Sequence, residues 1–177
     1  MARLRLATVW LGGCSGCHMS FLDTDEWLLE LMERVELVYS PLADIKAYPE
    51  GVDLALVEGA LANHEHVELI RTVRARTRLL VSLGDCAVTG NVTALRNVLG
   101  PAEPILQRVY APHGAVPREP GVVPVLLDRV LPLHAVVPVD LYLPGCPPPA
   151  PRIRAVLESL LAGELPAIQG REMIRFG

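Results

Sequence analysis

A glycine-rich turn near the start of this chain reads Leu11-Gly12-Gly13-Cys14-Ser15-Gly16-Cys17-His18. It directly follows Leu4 to Trp10, an apolar run typical of a strand buried on both faces. The other two of the four cysteines recur in the same context, each after an apolar run and a glycine, in Leu83-Gly84-Asp85-Cys86-Ala87 and Leu143-Pro144-Gly145-Cys146-Pro147. The repeated context indicates that the cysteines share one site.

Apolar runs and helical periodicities alternate along the rest of the chain. The predicted strands are Leu4 to Trp10, Glu36 to Ser40, Asp53 to Glu58, Arg78 to Leu83 and Asp140 to Leu143. The predicted helices are Ser20 to Arg34, Asn63 to Arg76, Val92 to Leu99 and Arg152 to Ala162. Ser20 and Asp23 have the spacing of a capping box at the start of the first helix. The alternation predicts an α/β fold with a single doubly wound, mostly parallel sheet of the flavodoxin-like type.

The length predicts one domain, a single flavodoxin-like unit over residues 1–177 that includes the shared cysteine site. A proline-rich excursion at about 100–138 interrupts the alternation, with a short helix predicted around Val125 to Leu131. A stretch of this kind is usually functional or contacts a partner, and the alternative is a rigid loop without a role. The tail from Gly163 is predicted to be irregular.

The composition excludes several classes of protein. Sixteen basic and twenty acidic residues give a net charge of -4, and there is no basic run, so a nucleic-acid surface has no support. The most apolar long stretch, Val122 to Val139, contains charged residues and prolines, which argues against a membrane span. We therefore expect a soluble, cytoplasmic protein. The cytoplasm is reducing, so cysteines there are more often metal ligands than partners in disulfides.

The arrangement of the cysteines is a close pair followed by two single residues far along the chain. Such a set fits one [4Fe-4S] cluster or one tetrahedral zinc ion. The spacing favours the cluster, because structural zinc is usually held by two local Cys-x-x-Cys pairs. Redox-active or merely buried thiols are the third interpretation. The same turn is where a flavodoxin-like fold binds a flavin phosphate, but Gly13-Cys14-Ser15-Gly16 is a weak phosphate loop, so FMN in this chain is disfavoured.

These motifs resemble the small subunit of [NiFe]-hydrogenases over nearly the whole chain. The motifs that match are Gly-Cys-x-Gly-Cys, Val57-Glu58-Gly59, Gly84-Asp85-Cys86-Ala87 and Pro144-Gly145-Cys146-Pro147-Pro148. The form Cys14 to Asp23 looks most like the soluble, bidirectional NAD-reducing type. The related cluster subunit of respiratory complex I has adjacent cysteines at the first position, whereas Ser15 and Gly16 separate them here.

The resemblance implies that Cys14, Cys17, Cys86 and Cys146 ligate one proximal [4Fe-4S] cluster. With all four cysteines used, no second all-cysteine cluster is possible. A separate large subunit would split H2 at its nickel–iron centre, and diaphorase subunits with flavin and further clusters would reduce NAD, for the overall reaction H2 + NAD+ to NADH + H+. This chain would relay electrons and not split H2 itself.

Polar residues next to the cysteines are further candidates. Glu58 stands where the family has a glutamate and could relay protons, tune the cluster or ligate iron transiently, or simply cap the next turn. His18 could donate to a sulfur, lie at a subunit interface, or be an ordinary polar residue of the turn. Asp85 is expected to order the loop before Cys86. Two alternatives stay open for the whole protein: a complex I type quinone-reductase subunit, and a non-catalytic scaffold stabilised by zinc on the four cysteines.

Overall fold

The central sheet has five strands that are all parallel. A computed structural model describes residues 3–166. Its strands are β1 (Leu4–Trp10), β2 (Val35–Tyr39), β3 (Val52–Glu58), β4 (Leu61–Asn63), β5 (Thr77–Leu83), β6 (Leu126–Leu131) and β7 (Leu141–Leu143). The sheet order is β2-β1-β3-β5-β7, which is the flavodoxin-like order with a switch point between β1 and β3. The predicted fold class is confirmed.

Helices cover both faces of this sheet. They are α1 (Gly16–Leu22), α2 (Trp27–Arg34), α3 (His64–Arg76), α4 (Asp85–Thr89), α5 (Ala102–Tyr110) and α6 (Ala150–Leu161), together with 3₁₀ helices at Asn91–Leu99, Ala111–His113 and Leu133–Ala135. The sheet has one hydrophobic core on each face, and successive residues of β1 contribute to different cores. Leu6 lies in the core that contains Leu31 of α2 and Ile153 of α6, whereas Ala7 lies in the core that contains Ile70 of α3. Burial on both faces explains why the strands are continuous apolar runs.

The predicted helix from Ser20 to Arg34 is in fact two helices, α1 and α2. The first already begins at Gly16, so Ser20 is not its cap and the predicted capping box is wrong. Asp25 adopts a left-handed backbone with φ 51° between the two helices. That conformation ends a right-handed helix, and aspartate tolerates it better than most side chains do.

The excursion at 100–138 is more ordered than predicted. It contains α5, and the predicted helix at Val125 to Leu131 is wrong, because β6 occupies Leu126–Leu131 and pairs antiparallel with β4. The predicted helix at Val92 to Leu99 is a 3₁₀ helix, Asn91–Leu99. The tail predicted to be irregular from Gly163 has no helix or strand up to residue 166. The rest of that tail lies outside the described residues.

No helix within residues 3–166 combines the length and the apolar character needed to cross a bilayer.

Candidate metal centre

The carboxyl end of the sheet brings the four cysteines together. The strand registers place Trp10, Glu58, Leu83 and Leu143 in one row across β1, β3, β5 and β7. Each cysteine follows a strand that ends in this row. Cys17 and Cys86 are buried, whereas Cys14 and Cys146 are exposed. The site therefore has a buried half against the protein core and an open half facing outward.

Hydrogen bonds between the loops hold this arrangement. The backbone N–H of Gly84 donates to the carbonyl of Leu143 at 2.8 Å, and Asp85 N–H donates to the carbonyl of Gly145 at 2.8 Å. The Asp85 carboxylate in turn accepts the Gly145 N–H at 2.6 Å. Asp85 thus orders the Cys86 loop, as predicted, by tying it to the Cys146 loop.

The other loops are tied in the same way. The Ser20 hydroxyl donates to the carbonyl of Pro148 at 2.6 Å, which links α1 to the Cys146 loop. The buried guanidinium of Arg152 donates to the carbonyl of Pro144 at 2.9 Å. Gly12 and Ala60 exchange two backbone hydrogen bonds of 2.9 and 2.7 Å, which link the first cysteine turn to the end of β3. Backbone and side-chain hydrogen bonds between these loops therefore position the cysteines.

Gly84 is required next to the buried cysteine. A Cβ at this position would lie 2.2 Å from the Sγ of Cys17, far inside van der Waals contact. Its backbone, with φ 81° and ψ 162°, also lies in a region that only glycine adopts readily. The absence of a side chain at Gly84 therefore leaves room for the Cys17 sulfur at the base of the site.

Three of the sulfurs accept hydrogen bonds. Cys14 Sγ accepts the backbone N–H of Gly16 at 3.4 Å, and Cys146 Sγ accepts the side-chain amide of Asn91 at 3.3 Å. The Thr93 hydroxyl lies 3.9 Å from Cys86 Sγ. Sequence reasoning missed Asn91 and Thr93; the only local signal is the Gly90-Asn91 turn pair shortly after Cys86.

Burial changes the acidity of the inner thiols. It raises the pKa of Cys17 well above its usual range, and the charges of Glu58 and of the three other cysteines raise that pKa further. Burial also raises the pKa of Cys86, although the hydrogen bond from Thr93 opposes this effect. The four sulfurs are thus close enough to interact, and a positively charged metal group would be needed to hold them together as thiolates.

Glu58 and His18 form a buried pair beside the cysteine turn. Glu58 is 1% exposed and His18 is 4% exposed. Glu58 Oε2 accepts the backbone N–H of His18 at 2.8 Å, and the His18 Nδ1 lies 2.5 Å from the same oxygen. The carboxylate therefore caps the first turn of α1, the helix that carries Cys17. Within residues 3–166, the buried Nε2 of His18 has no hydrogen-bond partner, so the predicted alternative of a bond from His18 to a sulfur is not observed.

The donor set fits an iron–sulfur cluster. Four cysteines on one sheet edge supply the four thiolates that a cluster requires. Donors to Cys14, Cys86 and Cys146 can stabilise negative charge on sulfur. The ligand type, the number of ligands and the donors around them therefore suit a multinuclear iron–sulfur group.

Several known proteins are similar to this chain over most of its length. The family model of the NADH ubiquinone oxidoreductase 20 Kd subunit matches residues 14–160. The HoxS subunit delta of the NAD-reducing hydrogenase of Cupriavidus necator is 40% identical over 91% of this chain and 80% of that protein. A subunit of the F420-non-reducing hydrogenase of Methanothermobacter marburgensis is 37% identical over 92% of this chain. The chain spans only 54% of that archaeal subunit.

Solved structures extend the comparison. A chain in the crystal structure of an NAD+-reducing [NiFe]-hydrogenase in the H2-reduced state superposes with a TM-score of 0.93 at 43% identity, covering 99% of this chain and 100% of that one. A [NiFeSe]-hydrogenase chain from Desulfomicrobium baculatum shares only the fold, with a TM-score of 0.57 at 17% identity over 92% of this chain and 64% of that one. The chain belongs to the family of the NADH ubiquinone oxidoreductase 20 kDa subunit and the hydrogenase small subunits.

Proposed function

We propose that this chain is the electron-transfer small subunit of a cytoplasmic NAD-reducing [NiFe]-hydrogenase. Cys14, Cys17, Cys86 and Cys146 would hold one proximal [4Fe-4S] cluster. The observation that carries the proposal is the convergence of all four cysteines at one sheet edge, with Gly84 leaving room for Cys17. The similarity of the chain to subunits of NAD-reducing hydrogenases supports a role in a hydrogenase over a role as a complex I type quinone-reductase subunit.

The chain contributes position and environment to this reaction. When bound, the cluster supplies one-electron transfer between redox partners. The protein holds the four thiolates in place through the loop contacts of Gly84, Asp85 and Gly145. The apolar burial of Cys17 and Cys86 excludes water from the inner half of the site. Glu58 fixes the turn that carries Cys17.

The open half of the site is suited to a partner. Cys14 and Cys146 are exposed. The 3₁₀ helix Asn91–Leu99 begins beside Cys146, and Val92, Leu95 and Val98 are 55%, 67% and 86% exposed. Residues three apart lie on one edge of a 3₁₀ helix. We assign this edge to the hydrogenase large subunit, because a partner that exchanges electrons here must cover the exposed cysteines and the adjoining apolar edge. Diaphorase subunits with flavin would complete the path to NAD.

The anaerobically purified protein is expected to be brown. It should contain about four iron atoms per chain and show broad absorbance near about 400 nm, as a [4Fe-4S] protein does. Metal analysis by mass spectrometry and an absorbance spectrum test this. A colourless protein with about one zinc ion per chain would refute the proposal and support the zinc scaffold.

Val98→Glu is expected to weaken binding to the large subunit by roughly tenfold or more, because an unpaired charge would be buried in the interface. Co-purification of a tagged chain with the large subunit, followed by titration of the separated proteins, measures this. Leu29→Glu is the matched control, since Leu29 is 73% exposed on α2, outside the 3₁₀ helix. Equal binding by Val98→Glu and the native chain would contradict the assignment.

A further inference from the structure

The 3₁₀ helix Asn91–Leu99 places an amide donor on an exposed cysteine. The Nδ2 of Asn91 lies 3.3 Å from the Sγ of Cys146, a residue distant in sequence. Asn91 adopts φ 36°, a left-handed backbone that non-glycine residues rarely occupy, although asparagine does so more readily than most. We propose that Asn91 is a positioning residue that raises the reduction potential of the cluster through this hydrogen bond.

The contacts of the helix hold Asn91 in place. The Gly90 N–H donates to the carbonyl of Cys86 at 2.9 Å, so the turn before Asn91 is attached to a second cysteine. The Asn91 N–H donates to the Thr89 hydroxyl at 3.3 Å. The amide of Asn91 is therefore presented to the sulfur by a turn that is attached to the Cys86 loop at the start of the helix.

The sign of the effect follows from charge. Adding an electron increases the negative charge shared by the cluster and its sulfurs, and a donor to sulfur stabilises the more negative state. The Asn91 amide therefore favours the reduced form and raises the potential. Thr93 acts from the same helix, but its hydroxyl proton is shared between Cys86 Sγ at 3.9 Å and the Gly12 carbonyl at 3.1 Å, so its effect on sulfur is weaker.

The experiment uses Asn91→Gly in the anaerobically purified holoprotein. Glycine accepts φ 36° without strain, so the substitution removes the donor and leaves the backbone in place. EPR-monitored redox potentiometry should show a ratio of reduced to oxidised cluster that is roughly fivefold lower at a given applied potential. For a one-electron couple this corresponds to a midpoint about 40 mV lower.

Asn97→Ala is the matched control. Asn97 is the same residue type on the same helix, but it binds Val130 and not a sulfur. Its substitution should leave the midpoint unchanged. A midpoint for Asn91→Gly equal to that of the native protein, or an equal fall in Asn97→Ala, would overturn the proposal.

A spectroscopic measurement tests the contact itself. With the asparagine side chains labelled with 15N, the reduced native protein should show a 15N hyperfine coupling to the cluster that Asn91→Gly lacks and Asn97→Ala retains. A 15N coupling that persists in Asn91→Gly would refute the contact.

The inference rests on the proposed function, and the two fail differently. Without a cluster, the native protein itself has no iron and no EPR signal. A cluster whose midpoint is unchanged in Asn91→Gly refutes only the role of Asn91.

Discussion

Cys86→Ser is expected to abolish the native cluster and, with it, H2-dependent NAD reduction in the assembled enzyme. Cys86 is buried in α4, directly after β5, and the chain has only four cysteines, so no other thiol can replace it. A serine hydroxyl is a poor substitute for a thiolate as an iron–sulfur ligand. Iron content should fall from about four atoms per chain to well below that value.

The control for this substitution is Val88→Ser, which adds a hydroxyl to the same short helix, α4, without altering a cysteine. It should retain the iron content and the absorbance of the native protein. Iron analysis, the visible spectrum and the rate of H2-dependent NAD reduction are measured for both variants. An unchanged content of about four iron atoms in Cys86→Ser would remove Cys86 from the ligand set.

Glu58→Ala is expected to lower the free energy of unfolding by about 3 kcal/mol. Glu58 is 1% exposed, and its carboxylate contacts both the backbone N–H and the imidazole of His18. The substitution leaves these two buried polar groups of His18 without their partner. Glu58→Gln keeps a carbonyl oxygen as an acceptor, so its loss should be nearer about 1 kcal/mol. Urea unfolding followed by circular dichroism, with every variant in the same metal state, measures the difference.

A surface glutamate provides the comparison. Glu158 pairs with Arg154 on α6 at 2.8 Å, but its side chain is 44% exposed, so Glu158→Ala should cost less than about 0.5 kcal/mol. Equal losses for Glu58→Ala and Glu158→Ala would contradict the structural role of the buried pair. If Glu58→Gln leaves both the cluster spectrum and turnover unchanged, Glu58 has no part in proton relay or cluster tuning.

Local patterns in the sequence were sufficient to predict those elements that are stabilised mainly by their own burial. Leu4 to Trp10 and Asp53 to Glu58 are apolar on both faces, and the structure has strands there to within one residue. The error at Val125 to Leu131 has a physical cause. β6 exists because it pairs with β4, far earlier in the chain, and that partner leaves no periodic signal in the local sequence.

The same distinction applies to the candidate site. The sequence alone was sufficient to predict the parallel α/β sheet, and it nominates the four cysteines as candidate ligands, because hydrophobic periodicity and thiolate chemistry are properties of the residues and their spacing. Only the tertiary structure determined that Glu58 caps α1 through His18, and that Asn91 donates to Cys146. These contacts join residues 40 and 55 positions apart, and they form only when the strand registers bring the loops together at the carboxyl edge of the sheet.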